Sequence, residues 1–349
     1  MEGTNSSDID VFIRFMQRVD SGKEDILKPS RIRSVWILFC REPRHYFSQI
    51  HISDSQTRAL DNALLNWIPR MRNLRELYCR MILTFDQIVC VARHHATTLT
   101  KLAIVCNSTE LPHVLSSLGQ FTVLSDLSLK VARSYYPRAK LVEKGRLPDS
   151  IRMLEVIADE DKANSILSHL GDSPLPKLER FYISTHILQD PQALISFMAI
   201  HGPKLRIIKL RGVLNDVFTV LYPLTPQLQV LTLLDPYTRA LRPMLKGLPL
   251  SVEEVIVSMR SKHLSSWALM TWKSSSELVN IPNEHHLSVV KLVSEDPHLA
   301  KGTFSWRKAF AGRPSQDRWM RRIRANTGVL KKRGIAILDE RAEELADVL

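Results

Sequence analysis

LTKLAI at 99–104, LSDLSL at 124–129, IRMLEV at 151–156, LERFYI at 178–183, LRIIKL at 205–210 and LQVLTL at 228–233 are one phrase written six times. Its pattern is apolar-x-x-apolar-x-apolar. LRELYC at 74–79 precedes the series and VEEVIV at 252–257 follows it. The first positions, 74, 99, 124, 151, 178, 205, 228 and 252, are separated by 25, 25, 27, 27, 27, 23 and 24 residues. Successive side chains of an extended chain point to opposite sides, so the fourth and sixth residues of the phrase share one face. Each copy therefore reads as a short strand that buries two or three apolar residues. The near-constant step reads as one structural unit stacked on its neighbours.

Between the phrases the apolar period changes from two to 3.6. Phe85, Ile88, Val89 and Ala92 fall at i, i+3, i+4 and i+7, one stripe of a helix. Val114, Leu115 and Leu118 repeat the stripe, as do Ile166, Leu167 and Leu170. Asp190-Pro191 is a start signal, a capping oxygen followed by proline at the first helical position, for a helix carrying Leu194, Ile195, Phe197 and Met198. His201-Gly202-Pro203 is its stop, with Gly202 as C-cap. One strand and one helix per 23–27 residues is the period of a leucine-rich-repeat solenoid. The expected class is α/β: a leucine-rich-repeat-like solenoid, a curved parallel sheet with outer helices and a helical C-terminal extension.

Three regions follow. Residues 1–60 read as a short helix (Ile9, Phe12, Ile13, Phe15, Met16) and an irregular cap containing the phrases Ile32-Val35-Ile37 and Phe47-Ile50-Ile52. Residues 61–300 are the degenerate solenoid. Its rhythm breaks over 261–284, a stretch carrying Trp267 and Trp272, and resumes at Leu287-Val290-Leu292. Residues 301–349 form the extension. Lys301, Arg307, Lys308, Arg313, Arg318, Arg321, Arg322, Arg324, Lys331, Lys332 and Arg333 face the single acid Asp317, so 301–334 carries +10 of a total of +12. The last fifteen residues reverse to −4 and predict an acidic amphipathic helix (Ile337, Leu338, Ala342, Leu345, Val348) that caps the solenoid.

Leu74-Arg75-Glu76-Leu77, Pro176-Lys177-Leu178-Glu179-Arg180-Phe181 and the run from Phe197 to Arg206, with His201-Gly202-Pro203-Lys204-Leu205-Arg206 at its end, resemble the repeats of fungal F-box/leucine-rich-repeat proteins of the basidiomycete, mushroom type. Ile32-Arg33-Ser34-Val35-Trp36-Ile37 is similar to the first strand those proteins place after the F-box. The resemblance covers roughly residues 30–300, the repeat region only. It implies a substrate receptor of a ubiquitin ligase, which reaches a cullin-ligase adaptor through its F-box. The opening Leu-Pro-x-Glu-type phrase of an F-box is not found in 1–30. The ladder asparagine the family places eight residues after each first leucine stands only at Asn107.

A solenoid builds a long surface, so binding is the expected function and catalysis is not. Positions three, five and seven of each phrase face the concave side. The best anchors there are Tyr78 with Arg80 and Lys101, and Arg180 with Tyr182, Lys209 and Arg211, because Tyr and Arg dominate protein interfaces. Several neighbours on that face are apolar (Val105, Ile157, Val230, Leu234, Ile256) and need partial cover. The partner expected there is another protein. Arg318, Arg321, Arg322 and Arg324 surround Trp319, Met320 and Ile323 on a basic helix. Its apolar underside either packs on the last repeat, or the helix serves a nuclear, nucleic-acid- or chromatin-associated role or contacts an anionic membrane.

Other chemistry finds no footing. No P-loop, GxGxxG, GxSxG or HExxH motif occurs. His94-His95 and His285-His286 read as solvated or capping residues, since adjacent helical side chains diverge by about 100°. Asp159-Glu160-Asp161 reads as a helix start favoured by the dipole. No cofactor, metal site or catalytic group is expected. Cys40, Cys79, Cys90 and Cys106 form no CxxC pair, no apolar run is long enough to span a membrane, and MEGTNSSDID is not a signal peptide. A cytoplasmic or nuclear location is expected.

Overall fold

The computed structural model describes residues 32–37, 54–132, 146–171, 173–188, 190–213, 217–234, 245, 247–259, 275–281, 284–294, 305–310 and 318–348. The helix expected at 9–16, the phrase at 47–52, Cys40, Trp267 and Trp272 lie outside them. The chain is α/β and leucine-rich-repeat-like. It divides into two compact units, residues 1–158 with 172–177, and residues 159–171 with 178–349.

The first unit runs β1 (Ser34–Ile37), α1 (Asp54–Trp67), β2 (Glu76–Ile82), α2 (Phe85–His95), β3 (Lys101–Cys106), α3 (Leu111–Leu118), β4 (Asp126–Val131) and β5 (Met153–Ile157). Its strands are parallel and lie in chain order. Register follows the phrase: Leu77, Leu102, Leu127 and Leu154 stand in one row, and Val35 of β1 joins it opposite Leu77. The second unit runs α4 (Glu160–Gly171), β6 (Arg180–Leu188), α5 (Gln192–His201), β7 (Ile207–Val213), α6 (Phe218–Leu221), β8 (Val230–Leu234), β9 (Glu254–Met259), β10 (Val289–Ser294), α7 (Trp306–Phe310), α8 (Arg318–Lys332), β11 (Ala336–Leu338) and α9 (Leu345–Val348). Here too the strands are parallel in chain order, with Phe181, Ile208, Leu231, Val255, Val290 and Ile337 in one row.

In both units the core is the fourth and sixth strand residues packed on the helical stripes. Leu127, Leu129, Leu154, Val156, Phe181 and Leu233 are all buried, as are Val114, Ile166, Leu194 and Phe197. Phe181 of β6 meets Phe197 of α5 with ring centroids 4.7 Å apart. Side-chain oxygens meet the first N–H groups of two helices, although Pro191 stands just before α5 and not at its first helical position. The Thr84 hydroxyl accepts from the Gln87 amide (3.4 Å) while the Gln87 side chain accepts from the Thr84 N–H (2.9 Å), a capping box. Asp190 Oδ1 accepts from the Gln192 N–H at 3.0 Å. Closing that box draws Gln87 inward, so α2 buries Gln87, Ile88, Val91, Ala92 and His95, with Phe85 and Val89 only half-buried.

With the ladder asparagine kept only at Asn107, backbone carbonyls stitch the turns into the strands. The backbone carbonyl at phrase position two accepts from both the second and third N–H of the next repeat. Arg75 O takes Thr100 (2.7 Å) and Lys101 (3.0 Å), Thr100 O takes Ser125 and Asp126, Arg206 O takes Gln229 and Val230, and Gln229 O takes Glu253 and Glu254. Hydroxyls add to the ladder: Thr100 to Arg75 O (3.0 Å), Ser125 to Thr100 O (3.1 Å) and Ser251 to Leu228 O (2.8 Å). These turns therefore leave few orphaned backbone groups.

Gly202 is the C-cap of α5, as expected, but a left-handed backbone is not what requires glycine there. Its backbone is right-handed, φ −53°, and the chain continues into a 3-10 turn, Gly202–Lys204. A Cβ there would collide with the Leu224 carbonyl of the next repeat.

The C-terminal end departs from expectation. The chain from 335 is not an acidic helix: Ala336–Leu338 is the strand β11, paired with β10, and only Leu345–Val348 is helical. The basic helix α8 is the crossover helix between β10 and β11, so the sheet extends past residue 300. Register puts Asp339 where other repeats place the sixth, apolar residue. Asp339 is fully buried, and its carboxylate accepts from the N–H groups of Trp306 (3.1 Å), Arg341 (2.8 Å) and Glu343 (3.0 Å). The chain then turns back so that Leu338 bridges Glu344 in antiparallel fashion, covering part of the edge of β11.

Candidate binding face

Alternation along the strands leaves positions three, five and seven on the face opposite the core, as β4 (Asp126, Ser128, Lys130) and β5 (Met153, Glu155, Ile157) illustrate with half-buried residues between buried ones. The apolar residues of this face do not form an open patch. Val105 and Leu234 are buried, and Ile157, Val230 and Ile256 are half-buried.

In the first unit the face is polar and internally satisfied. Glu76 of β2 accepts from the Ser34 hydroxyl (3.1 Å) and pairs with Lys101 of β3 at 2.8 Å. The Lys101 ammonium holds the Glu76 carboxyl below the usual range, and Glu76 raises Lys101 in return. Ser128 donates to Glu155 one strand further on. Lys101 is therefore committed within the sheet. Tyr78 stacks on Trp36 of β1, centroids 4.1 Å apart and planes 24° from parallel, and its partial burial raises the phenol above the ordinary value. Arg80 lies in β2, with its side chain outside the described residues. Trp36, 59% exposed, is the largest accessible apolar side chain among the described residues of this face. The same phrase read over Ile32–Ile37 places Trp36 at position five, so its signal lay in the sequence; reading that stretch as a cap left it off the face.

In the second unit Arg180, Tyr182, Lys209 and Arg211 come together on adjacent strands. Tyr182 is registered opposite Lys209, and Arg211 opposite Ser184. Lys209 Nζ lies 5.9 Å from the centre of the Tyr182 ring, cation–π range. All four side chains are half-buried. Val230 and Thr232 of β8 and Ile256 of β9 continue the two rows, as registry places Val230 beside Ile207 and Thr232 beside Lys209. The outcome is a cationic, aromatic-centred patch with a moderately apolar flank.

The basic helix sits on the other layer of this unit. Met320, Ile323, Thr327 and Leu330 of α8 are buried, whereas Arg321, Arg322, Arg324 and Lys332 are exposed. The side chains of Arg318 and Trp319 lie outside the described residues. Asn326 donates to Ser276 (3.0 Å), and the Arg333 guanidinium donates to the carbonyls of Leu278, Val279 and Ile281, closing the helical turn at 275–278.

The histidine pairs act as caps or face solvent. His95 contacts the Ile68 carbonyl at 2.7 Å and His285 the Leu248 carbonyl at 2.8 Å, while His94 and His286 are exposed. Among the described residues no three His, Cys, Asp or Glu side chains are grouped so as to hold a metal ion, and no helix is long and apolar enough to cross a membrane. No family model matches the chain, and no curated protein matches it.

Proposed function

We propose that the chain is a non-catalytic protein–protein interaction module that holds its partner on the sheet face of the second unit. The observation that carries this reading is the convergence of Arg180, Tyr182, Lys209 and Arg211 on two neighbouring strands, beside half-buried Val230 and Ile256. Arginine and tyrosine anchors next to partly desolvated apolar surface are the composition of interface hot spots. The resemblance of the repeats to those of F-box proteins extends the proposal: the partner is a substrate delivered to a ubiquitin ligase. Trp36 on Tyr78 supplies a second, smaller anchor on the first unit.

Affinity purification from native cells, with quantitative mass spectrometry, tests this beside an R180A/Y182A/K209A/R211A variant whose melting temperature is checked first. A partner retained by the wild type and lost from the folded variant supports the module. Identical protein sets from both overturn it. Recovery of a cullin adaptor with both proteins separates the ligase part of the reading from the binding part.

A further inference from the structure

We propose that the outward face of α8 binds the phosphate backbone of duplex DNA. This site is independent of the sheet face, on the helical layer of the same unit. Arg321, Arg322, Arg324 and Lys332 are exposed and make no ion pair or hydrogen bond with any described residue. No acid occurs anywhere between Arg318 and Gly334 in the sequence. The acids that the fold brings near are taken by other cations: Asp347 and Glu344 by Lys331, at 3.0 and 3.8 Å, and Glu343 by Arg307, at 2.7 Å. Among the described residues, four cations thus remain for an external anion.

Their layout suits an extended anion. Eleven residues separate Arg321 from Lys332, which returns within about 20° of the same line on the helix and lies about 16 Å along it. Ala325 and Gly328 lie between them, and open space stands where a Gly328 Cβ would be. Arg322 and Arg324 flank the line on either side. Arg321 stands in a first turn that holds no acid, so it opposes the helix dipole instead of completing it.

The rest of the face selects among anions. The apolar side chains a lipid surface would need, Met320, Ile323 and Leu330, are buried against the repeat. A protein partner would require a central apolar anchor, and Val329, 43% exposed, is the single large apolar side chain among the described ones on this face. Asn326 and Thr327, which could read a ribose 2′-hydroxyl, are turned inward onto Ser276 and the Ile323 carbonyl. Charge and a smooth rigid edge remain, the requirements of sequence-independent contact with the DNA backbone.

Fluorescence anisotropy of the full chain with a labelled duplex of about 20 base pairs tests the proposal between about 50 and about 200 mM salt. The expected slope of log K against log salt is about −3 to −4, four contacts at about 0.9 each. An R321A/R322A/R324A/K332A variant with unchanged circular dichroism should lose about tenfold or more in affinity and most of that slope. Should that variant unfold, Arg321→Ala and Arg322→Ala singly should each lower the slope by about one. No binding by the wild type, variants that bind as the wild type does, or equal affinity for duplex RNA, single-stranded DNA or polyglutamate would overturn the assignment.

Discussion

His95 and His201 hold equivalent places, each four residues ahead of the first leucine of a strand phrase, Leu99 and Leu205. Both are fully buried at the ends of repeat helices. Burial keeps both rings neutral: it pushes His201 down to about 4, helped by Lys204 and partly offset by the Leu170 carbonyl, and lowers His95 as well. His201 packs against the Phe197 ring, centroids 4.6 Å apart, with neither ring nitrogen in a well-formed hydrogen bond. An unfolded histidine titrates near 6.5, so the unfolded chain binds the proton first as the pH falls. The native state therefore keeps its full stability above about pH 6.5 and loses it progressively toward pH 4. His201 accounts for about 3 kcal/mol of that loss. Urea midpoints for the wild type and His201→Leu at pH 7.5 and 4.5 check this. The variant, which needs no proton and no partner, should lose less on acidification; equal losses would remove His201 as the cause. Glycines divide by the same local logic. Gly202→Ala should destabilise by about 1–3 kcal/mol, since the methyl meets a backbone carbonyl that cannot move alone. Gly328→Ala, in open space within α8, should stabilise by about 0.5–1 kcal/mol. Thermal melts of the two proteins distinguish them by sign.

Strand elements were legible where three apolar residues survived in the phrase. Leu99-Leu102-Ile104 and its seven companions all lead strands, in the expected register within each unit, and Leu287-Val290-Leu292 marks β10 after the interruption. β11 was hidden because two of its three marks are missing: Gly334 stands at position one and Asp339 at position six, leaving Ile337 alone. The flanking acids then read as one face of a helix, when Asp339 is an internal cap for three N–H groups. The patch on β6 and β7 was legible because alternation alone fixes which residues share a face. The pairing of Lys101 with Glu76 was legible too, since both stand at position three of successive phrases and register follows the phrase. Asp339 yields a test against consensus. Leucine at that position would restore the repeat phrase, yet Asp339→Leu should destabilise by about 2–4 kcal/mol, because the N–H groups of Trp306, Arg341 and Glu343 lose a charged acceptor in a buried place. Denaturation midpoints that rise in the leucine variant would show that the apolar pattern outweighs the cap.

At the scale of the molecule, repeat proteins are stabilised by nearest-neighbour contact, so their ends matter as much as their middles. In the second unit the terminal element is β11 with α7, α8 and α9. Removing residues 301–349 would strip the paired edge of β10 and uncover the apolar surface now packed against Met320, Ile323, Leu330, Ile335 and Ile337. It would also take away Arg333, which satisfies the carbonyls of the helical turn at 275–278. In sequence the tail reads either as a cap packed on the last repeat or as a basic helix serving nucleic acid or a membrane, two readings its deletion would separate. The fold makes the same deletion a structural lesion, since an unpaired edge and an open apolar flank both favour association. The truncated chain should therefore melt several degrees lower than the full chain, lose amide-exchange protection first in β10 and then in β9, and self-associate. The R321A/R322A/R324A/K332A protein should melt with the full chain, because none of those four side chains contacts the core. A truncation that melts as the full chain does, with β10 still protected, would mean that β10 closes the repeats unaided and that residues beyond 300 are an appendage after all. Hydrogen exchange on the three proteins decides between these accounts, because it reads β10 directly and does not depend on any ligand.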